Sequence, residues 1–184
     1  IALQEIHARE LAMTDRAVLT IGTMHGGTAA NAIADVVTMG GSLRTFDEEV
    51  RAFIKERMAE IVHSVAKTFR AEAEISFGSG CPTLKNDREL SHDAYRYVIE
   101  LLGPKMAFSV EELNAGGGSG GASKSAGSED FAYISQRVPS VMLALAAGQP
   151  EKGYCYPQHH PMVKFDNDAL DLGSAVYAYT AMRW

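Results

Sequence analysis

The chain has 184 residues, 46% of them hydrophobic, which is enough apolar material for one ordinary domain or two small ones. Its 17 Lys and Arg and 23 Asp and Glu give a formal net charge of −6 without long runs of either sign, which argues against a nucleic-acid partner. Because the longest apolar stretch, 138–147, is far shorter than the ~20 residues of a membrane helix, we expect no membrane partner. Cys81 and Cys155 lack a Cys-x-x-Cys spacing, which favours a reducing, cytoplasmic location.

The first half of the chain predicts a helix followed by two strands. Residues 1–11 predict an amphipathic helix with no capping residue before it, so we expect the given chain to begin inside an element of a longer protein. Residues 17–25 and 35–44 have the composition and alternation of strands, and the glycine pair Gly26-Gly27 marks the turn after the first.

A second helix and a third strand complete this half. Thr45 and Glu48 match a capping box at the start of a long helix over about 46–69. Residues 71–77 alternate strictly, as in a half-buried strand. The order of elements is that of a βαββαβ ferredoxin-like sandwich that lacks its first strand, and we assign it to a domain of residues 1–78.

Residues 79–184 predict a second, α/β domain. Asp87 or Ser91 caps a helix that ends at Gly103, and the Gly-rich run 115–121 alone is typical of a flexible linker. Ser128 is expected to cap a short helix.

A strand and a last helix follow in this domain. Residues 140–146 suit a strand buried on both faces. Residues 166–184 predict a helix with Leu172, Val176 and Tyr179 inward.

Three clusters carry candidate chemistry. His159 and His160 lie in a loop between the buried strand and the last helix, where α/β folds often place functional side chains. Two adjacent rings do not easily reach one metal ion, so one is the candidate ligand and the other a neighbour, and two surface histidines are an equal alternative. Glu129 and Asp130 suit the first turn of the short helix, where the helix dipole favours acidic residues for structural reasons alone.

The third cluster lies around the first turn between strands. The glycines after His25 permit a close backbone approach by a ligand, and Asn31 and Arg44 are donors suited to a carboxylate or amide oxygen. The alternative for Arg44 is an ordinary strand-surface residue. Neither Gly-rich stretch has the spacing of a nucleotide-binding loop, and no Gly-x-Ser-x-Gly elbow is present.

Together these segments resemble the M20 metallopeptidases, and most closely the amidohydrolase branch that contains hippurate hydrolases and N-acyl-amino-acid deacylases. Four ordered motifs that cover nearly the whole chain carry the resemblance: Gly-Thr-Met-His-Gly-Gly-Thr-Ala-Ala-Asn-Ala-Ile-Ala-Asp (22–35), Leu-Arg-Thr-Phe-Asp (43–47), Gly-Ser-Glu-Asp-Phe-Ala (127–132) and His-His-Pro-Met-Val-Lys-Phe-Asp-Asn-Asp-Ala-Leu (159–170).

The resemblance implies an α/β catalytic domain that holds two divalent metal ions, and a ferredoxin-like lid that mediates homodimerisation. The expected metals are zinc, or else manganese, cobalt or nickel. His159 falls on the family's last metal ligand, and Asn31 and Arg44 fall on lid residues that reach substrate, often in the partner subunit's site. His25 receives only a supporting substrate-binding role, because the family varies there. The Glu129 segment lies near the site without an assigned role.

Several features of the family pattern are absent or changed. The remaining metal ligands, the general-base Glu and the lid histidine would lie upstream of this sequence, so we expect the N-terminal catalytic half to be absent and the piece alone to be inactive. Ala34 replaces the usual Pro near Asn31. We therefore expect part of a metal-dependent amidohydrolase that cleaves the amide of N-acyl amino acids or small peptides. The alternative is a non-catalytic ferredoxin-like dimerisation or small-ligand-binding module.

Overall fold

The computed structural model describes residues 1–78, 80–109 and 127–184 of the chain. The described residues form two compact units. The first contains those within Ile1–Thr83 and Lys124–Asp130, and the second those within Leu84–Ser123 and Phe131–Trp184. The Gly-rich run 115–121 of the sequence analysis lies outside the described residues.

An antiparallel hairpin forms the sheet of the first unit. Its strands are β1 (Ala17–Gly26) and β2 (Val37–Thr45), as the alternating pattern predicts. The register shifts at Gly22, because Ile21 pairs with Gly41 and Thr23 pairs with Gly40. A Cβ atom on Gly41 would lie 2.5 Å from the carbonyl oxygen of Thr20, so the close approach of the strands requires glycine there.

The core of the first unit lies on one face of this hairpin. Leu19 packs with Ile54 and Met58 of helix α1 (Glu48–Thr68) and with Ile6, which belongs to a short π-helix, Ile6–Glu10. Ile6 and Ile54 are completely buried, and burying such a side chain contributes about 1.5–3 kcal/mol. The expected N-terminal helix is thus present over a shorter range than 1–11.

The long helix begins differently from the prediction. Its N-cap is Asp47, whose carboxylate accepts hydrogen bonds from the N–H groups of Glu49 and Val50 at 2.9 and 3.1 Å. The capping box predicted with Thr45 and Glu48 is therefore wrong. Thr45 belongs to β2, and the Glu48 carboxylate instead accepts hydrogen bonds from the backbone and hydroxyl of Thr83.

The strand expected over 71–77 is not formed: these residues have no regular secondary structure and do not join the sheet, which has two strands in the part of the chain that the structure describes. A strand exists only when a neighbouring backbone completes its hydrogen-bond ladder, so alternation is not sufficient. The segment still packs, because Ile75 contacts the core and the Phe77 ring lies under the Lys55 ammonium at 5.2 Å.

The second unit is built on two packed helices. Helix α2 (Arg88–Leu102) begins at Asp87, whose carboxylate accepts the Leu90 N–H at 2.9 Å, and ends at Gly103 with φ of 90°. Asp87 was one of the two predicted caps. Helix α4 (Asp168–Arg183) lies against α2, and the Tyr97 hydroxyl donates to the carbonyl of Arg183 at 3.1 Å. Leu172, Val176 and Tyr179 are partly buried, consistent with the predicted inward face.

Two expectations for the second half are wrong. The short helix α3 spans Ala132–Ser135 and has no side-chain cap, so Ser128 does not cap it and Glu129 precedes its first turn. Residues 140–146 have no regular secondary structure and are largely exposed, and no strand pairs with them among the described residues. The backbone of Met142 bonds to the Asn86 side chain instead. Its N–H donates to the Asn86 amide oxygen at 2.9 Å, and its carbonyl accepts from the Asn86 amide nitrogen at 3.2 Å.

The fold class is confirmed as mixed α/β, with helices and a small two-stranded sheet. Among the helices that the structure describes, none is long and apolar enough to cross a membrane.

We predict that Asp47→Ala lowers the free energy of unfolding by about 1 kcal/mol, because two N–H groups of α1 lose their acceptor. Asp47→Asn, which keeps an acceptor oxygen, should lose much less. Urea unfolding followed by circular dichroism measures both. Thr45→Val is the matched control: if it destabilises as much as Asp47→Ala, the capping role belongs to Thr45 after all.

Candidate functional site

The candidate ligand His159 lies in a loop from Ala147 to Asp168 that is closed at its base. The N–H of Asp166 donates to the carbonyl of Ala147 at 2.8 Å. The Lys152 ammonium contacts the carboxylate of Asp166 at 3.1 Å and that of Asp168 at 3.4 Å. These contacts tie the start of the loop to its end, next to the first turn of α4.

The ion pair at the loop base changes the ionisation of both partners. The hydrogen bond from Lys152 is the main reason that the pKa of Asp166 lies below its ordinary value. The same hydrogen bond raises the pKa of Lys152. Because a lowered pKa favours the carboxylate, this contact contributes stability above the ordinary Asp range and loses it as the pH falls through the lowered pKa.

A tight pairing follows the start of the loop. Gln149 and Tyr154 exchange two backbone hydrogen bonds of 3.0 Å across a short 3-10 turn, Pro150–Lys152. Gly153 closes that turn in the left-handed region with φ of 77°, which glycine adopts without strain. The turn fixes the direction in which the chain enters the histidine segment.

The histidine segment is organised around His160. Its N–H donates to the carbonyl of Pro157 at 3.1 Å, and its carbonyl accepts the N–H of Val163 at 3.0 Å. Its Nδ1 accepts the N–H of Met162 at 3.1 Å. Its ring stacks on Tyr156, with centroids 4.4 Å apart and an angle of 13° between the planes. His160 is therefore fixed through its backbone and through its side chain.

The neighbouring His159 has a strained backbone and an exposed side chain. Its φ of 72° lies in the left-handed region, which costs a non-glycine residue about 1–3 kcal/mol and occurs preferentially at functional positions. Within the described part of the chain, its imidazole has no hydrogen-bond partner. The loop thus presents an unengaged imidazole, although the sequence gives no sign of the strain.

The fit of these residues to metal ions is partial. An exposed imidazole without a partner suits one metal ligand, since histidine is the commonest protein ligand of zinc and related ions. No group of three His, Cys, Asp or Glu side chains suited to a metal ion occurs over residues 1–78, 80–109 and 127–184. The described residues therefore fit one ligand of a site and do not complete it.

The candidate substrate-binding residues lie at two ends of the hairpin. Arg44 pairs with Val18 near the first residue of β1, whereas His25 pairs with Thr38 near the turn. Thr38 and Arg44 are six positions apart along β2, which is about 20 Å at ~3.3 Å per residue. Asn31 lies in the loop that joins the strands, at the His25 end. His25, Asn31 and Arg44 are all exposed, and Arg44 lies at the end of the strands opposite the loop that contains Asn31.

Sequence reasoning missed the residues that shape the His159 loop. Lys152 and Tyr156 lie outside the four motifs, and Asp166 lies in the last motif without an assigned role. The roles of all three depend on contacts between residues 4 to 16 positions apart. The one available signal was the adjacent histidine pair, from which the sequence analysis assigned one ring as ligand and one as neighbour. Ser128 to Asp130 lie in the first unit, and no metal role is assigned to them.

No protein-family model matches the chain. It is 34% identical over 170 residues to an uncharacterised hydrolase of Sinorhizobium fredii, which covers 91% of this chain and 38% of that protein. It is 29% identical over 170 residues to N-acetyldiaminopimelate deacetylase of Brevibacillus brevis, which covers 92% of this chain and 41% of the enzyme. The chain thus spans about two fifths of the length of these curated relatives.

Solved structures similar to this chain are also described as hydrolytic enzymes. A protein described as an aminohydrolase, from methicillin-resistant Staphylococcus aureus, has a TM-score of 0.78 at 27% identity over 98% of this chain and 43% of its own. A dinuclear metal-binding peptidase from Bacillus subtilis has a TM-score of 0.73 at 25% identity over 97% of this chain and 42% of its own.

These comparisons define the class of protein, since the homologues of this chain are hydrolases. The Bacillus subtilis peptidase belongs to the M20 family, and the resemblance to that family carried by the four sequence motifs is confirmed.

We predict that Lys152→Met raises the pKa of Asp166 toward its ordinary value, because the carboxylate loses its main hydrogen-bond donor. A ¹³C NMR titration of the aspartate carboxyl carbons measures the shift. Lys164→Met, at another lysine of the loop, should leave the titration unchanged. An Asp166 pKa that is the same in Lys152→Met and in the unmodified chain would show that the ion pair does not close the loop.

Proposed function

We propose that this chain is part of a metal-dependent amidohydrolase of the M20 type, which hydrolyses the amide bond of N-acyl amino acids or small peptides. The deacetylase relative supports this substrate class, since its name describes the removal of an acyl group from an amino acid. The metal dependence is supported by the Bacillus subtilis peptidase, which binds a dinuclear metal centre. The remaining ligands and the general base would come from the part of the intact enzyme outside the described residues.

The observation that carries the proposal is the geometry of His159. The left-handed backbone of His159 costs free energy, and such strain occurs preferentially at functional positions. The motif resemblance implies that His159 falls on the family's last metal ligand, and its exposed imidazole suits that role. His159 would hold one of two divalent ions, zinc or else manganese, cobalt or nickel. A bound divalent ion supplies Lewis-acid polarisation of the amide carbonyl and a nucleophile derived from water.

The hairpin would bind the substrate. A guanidinium donates two parallel hydrogen bonds to a carboxylate, so Arg44 would hold the free carboxylate of an acyl amino acid. Asn31 offers both a donor and an acceptor, which suits the amide group that is hydrolysed. His25 would have a supporting role at the Asn31 end of the hairpin.

A homodimer reconciles these roles with the hairpin geometry. Arg44 and Asn31 lie at opposite ends of one hairpin, and an acyl amino acid is much shorter than the ~20 Å length of the strands between them. Two copies related by a two-fold axis would allow one end of each hairpin to serve its own site and the other end the partner subunit's site. We therefore propose that each active site takes Arg44 and Asn31 from different subunits.

A cytoplasmic location is part of the proposal. Cys81 and Cys155 are both free thiols in the structure, as is usual for proteins kept in a reducing compartment.

In the complete enzyme, His159→Ala should lower the metal content and kcat together, because one ion loses a ligand. Elemental analysis of the purified protein and steady-state kinetics measure the two effects. The control is His92→Ala, which removes an exposed imidazole on α2 and should change neither. A metal content in His159→Ala equal to that of the unmodified enzyme would remove His159 from the ligand set.

Subunit mixing tests the shared site. In the complete enzyme, Asn31→Ala and Arg44→Ala should each lower kcat/KM, by about 10- to 100-fold for Arg44 as expected for a hydrogen bond to a charged group. After the two variants are unfolded together and refolded, mixed dimers should contain one intact site, which restores about one quarter of normal activity at equal amounts.

The control mixture pairs Arg44→Ala with a variant that carries both substitutions. It contains no intact site in any dimer and should recover nothing. If the first mixture also stays at the activity of the separate variants, Asn31 and Arg44 serve the same subunit's site or neither site.

A further inference from the structure

We propose that Tyr156 and His160 form a clamp that holds His159 in its left-handed backbone conformation, so that they are positioning residues for the proposed metal ligand. This inference rests on the proposed role of His159. The clamp consists of the ring stack between Tyr156 and His160 and the hydrogen bonds of His160 within the turn. It assigns different tasks to two adjacent histidines.

The backbone hydrogen bonds of His160 restrict the backbone conformation of His159. Its N–H is bonded to the carbonyl of Pro157 and its carbonyl to the N–H of Val163, so both peptide groups that flank the residue are held. Pro157 itself has a fixed φ. The chain must pass from Pro157 to His160 within three residues, and the left-handed φ of His159 closes that short turn.

The side chain of His160 is committed to the turn and is a poor metal ligand. Its Nδ1 accepts the N–H of Met162 at 3.1 Å, so that nitrogen has no lone pair for a metal ion. In the neutral ring the other nitrogen, Nε2, then carries the proton. The stacked Tyr156 ring covers one face of the imidazole. Of the two rings, only that of His159 is free in the described part of the chain to coordinate a metal.

The Tyr156 ring packs against the His160 ring and stabilises its position. Near-parallel stacking of two aromatic rings is favourable beyond the burial of the rings, and it offsets part of the cost of the left-handed residue. The ring stack joins the residue before Pro157 to the last residue of the Pro157–His160 turn, and so it stabilises that turn. Replacement of the ring by an aliphatic side chain should release the turn, whereas loss of the hydroxyl alone should not.

The conformation of His159 is measured directly by NMR on the 184-residue chain labelled with ¹⁵N and ¹³C. A left-handed residue gives a strong intraresidue Hα–HN NOE relative to the sequential one. In Tyr156→Leu and in His160→Ala this signature should be lost at His159, and its ¹⁵N–{¹H} NOE should fall. Tyr156→Phe keeps the stack and should retain both signals, as should the control His92→Ala.

Persistence of the left-handed signature in both Tyr156→Leu and His160→Ala would overturn the clamp. The complete enzyme gives the second readout, its affinity for Zn²⁺ by competition with a chelator. There Tyr156→Leu should raise the dissociation constant by about 10- to 100-fold, the usual effect of losing a partner that orients a ligand. Tyr156→Phe should restore the normal constant.

The two readouts separate failure of the clamp from failure of the proposed function. If His159→Ala weakens Zn²⁺ binding and Tyr156→Leu does not, His159 is a ligand and the positioning role is refuted. If neither variant changes Zn²⁺ binding while Tyr156→Leu abolishes the left-handed signature, the clamp is supported as a conformational device and the metal-ligand proposal fails.

Discussion

The left-handed backbone at His159 is the constraint around which the second unit's loop is organised. A single residue in that region costs free energy, and here the cost is offset by contacts on both sides of it. The Lys152 ion pair and the Asp166 to Ala147 hydrogen bond close the base of the loop. The His160 interactions close its tip. A loop held at base and tip presents one side chain in a defined direction, as a metal ligand requires.

The first unit imposes a different constraint, which is the length of its hairpin. The core anchors the base of the hairpin through Leu19, and the strands continue well beyond this contact. The proposed substrate-binding residues Asn31 and Arg44 lie toward opposite ends of the strands, so we propose that one small molecule does not contact both within a single copy. The proposed sharing of sites between subunits follows from strand length and needs no change in the fold.

The sequence predicts regular elements well where the pattern is local. The two strands and the long helix were found within about two residues, because alternation and helical spacing depend on neighbours in the chain. The cap of α1 was wrong because Thr45 and Asp47 are both good capping residues, and the choice depends on where β2 ends. Residues 71–77 have a strand's pattern but pair with no strand among the described residues.

The candidate site was predicted less completely for a physical reason. The motif resemblance gave His159, Asn31 and Arg44, but the left-handed φ and the Tyr156 stack depend on side chains that meet only in the folded loop. No periodicity marks an ion pair between Lys152 and Asp166, which are 14 residues apart. The separation of Asn31 from Arg44 likewise appears only once the strand register is known.

A structure of the complete, Zn²⁺-loaded enzyme tests the central claim most directly, through the distance from the His159 imidazole to the nearest metal ion. The account predicts a nitrogen–zinc distance of about 2.0–2.1 Å, with the residue still in the left-handed region and the His160 ring off the metal. A metal ion bound by His160, or one whose coordination sphere is complete without His159, would contradict it.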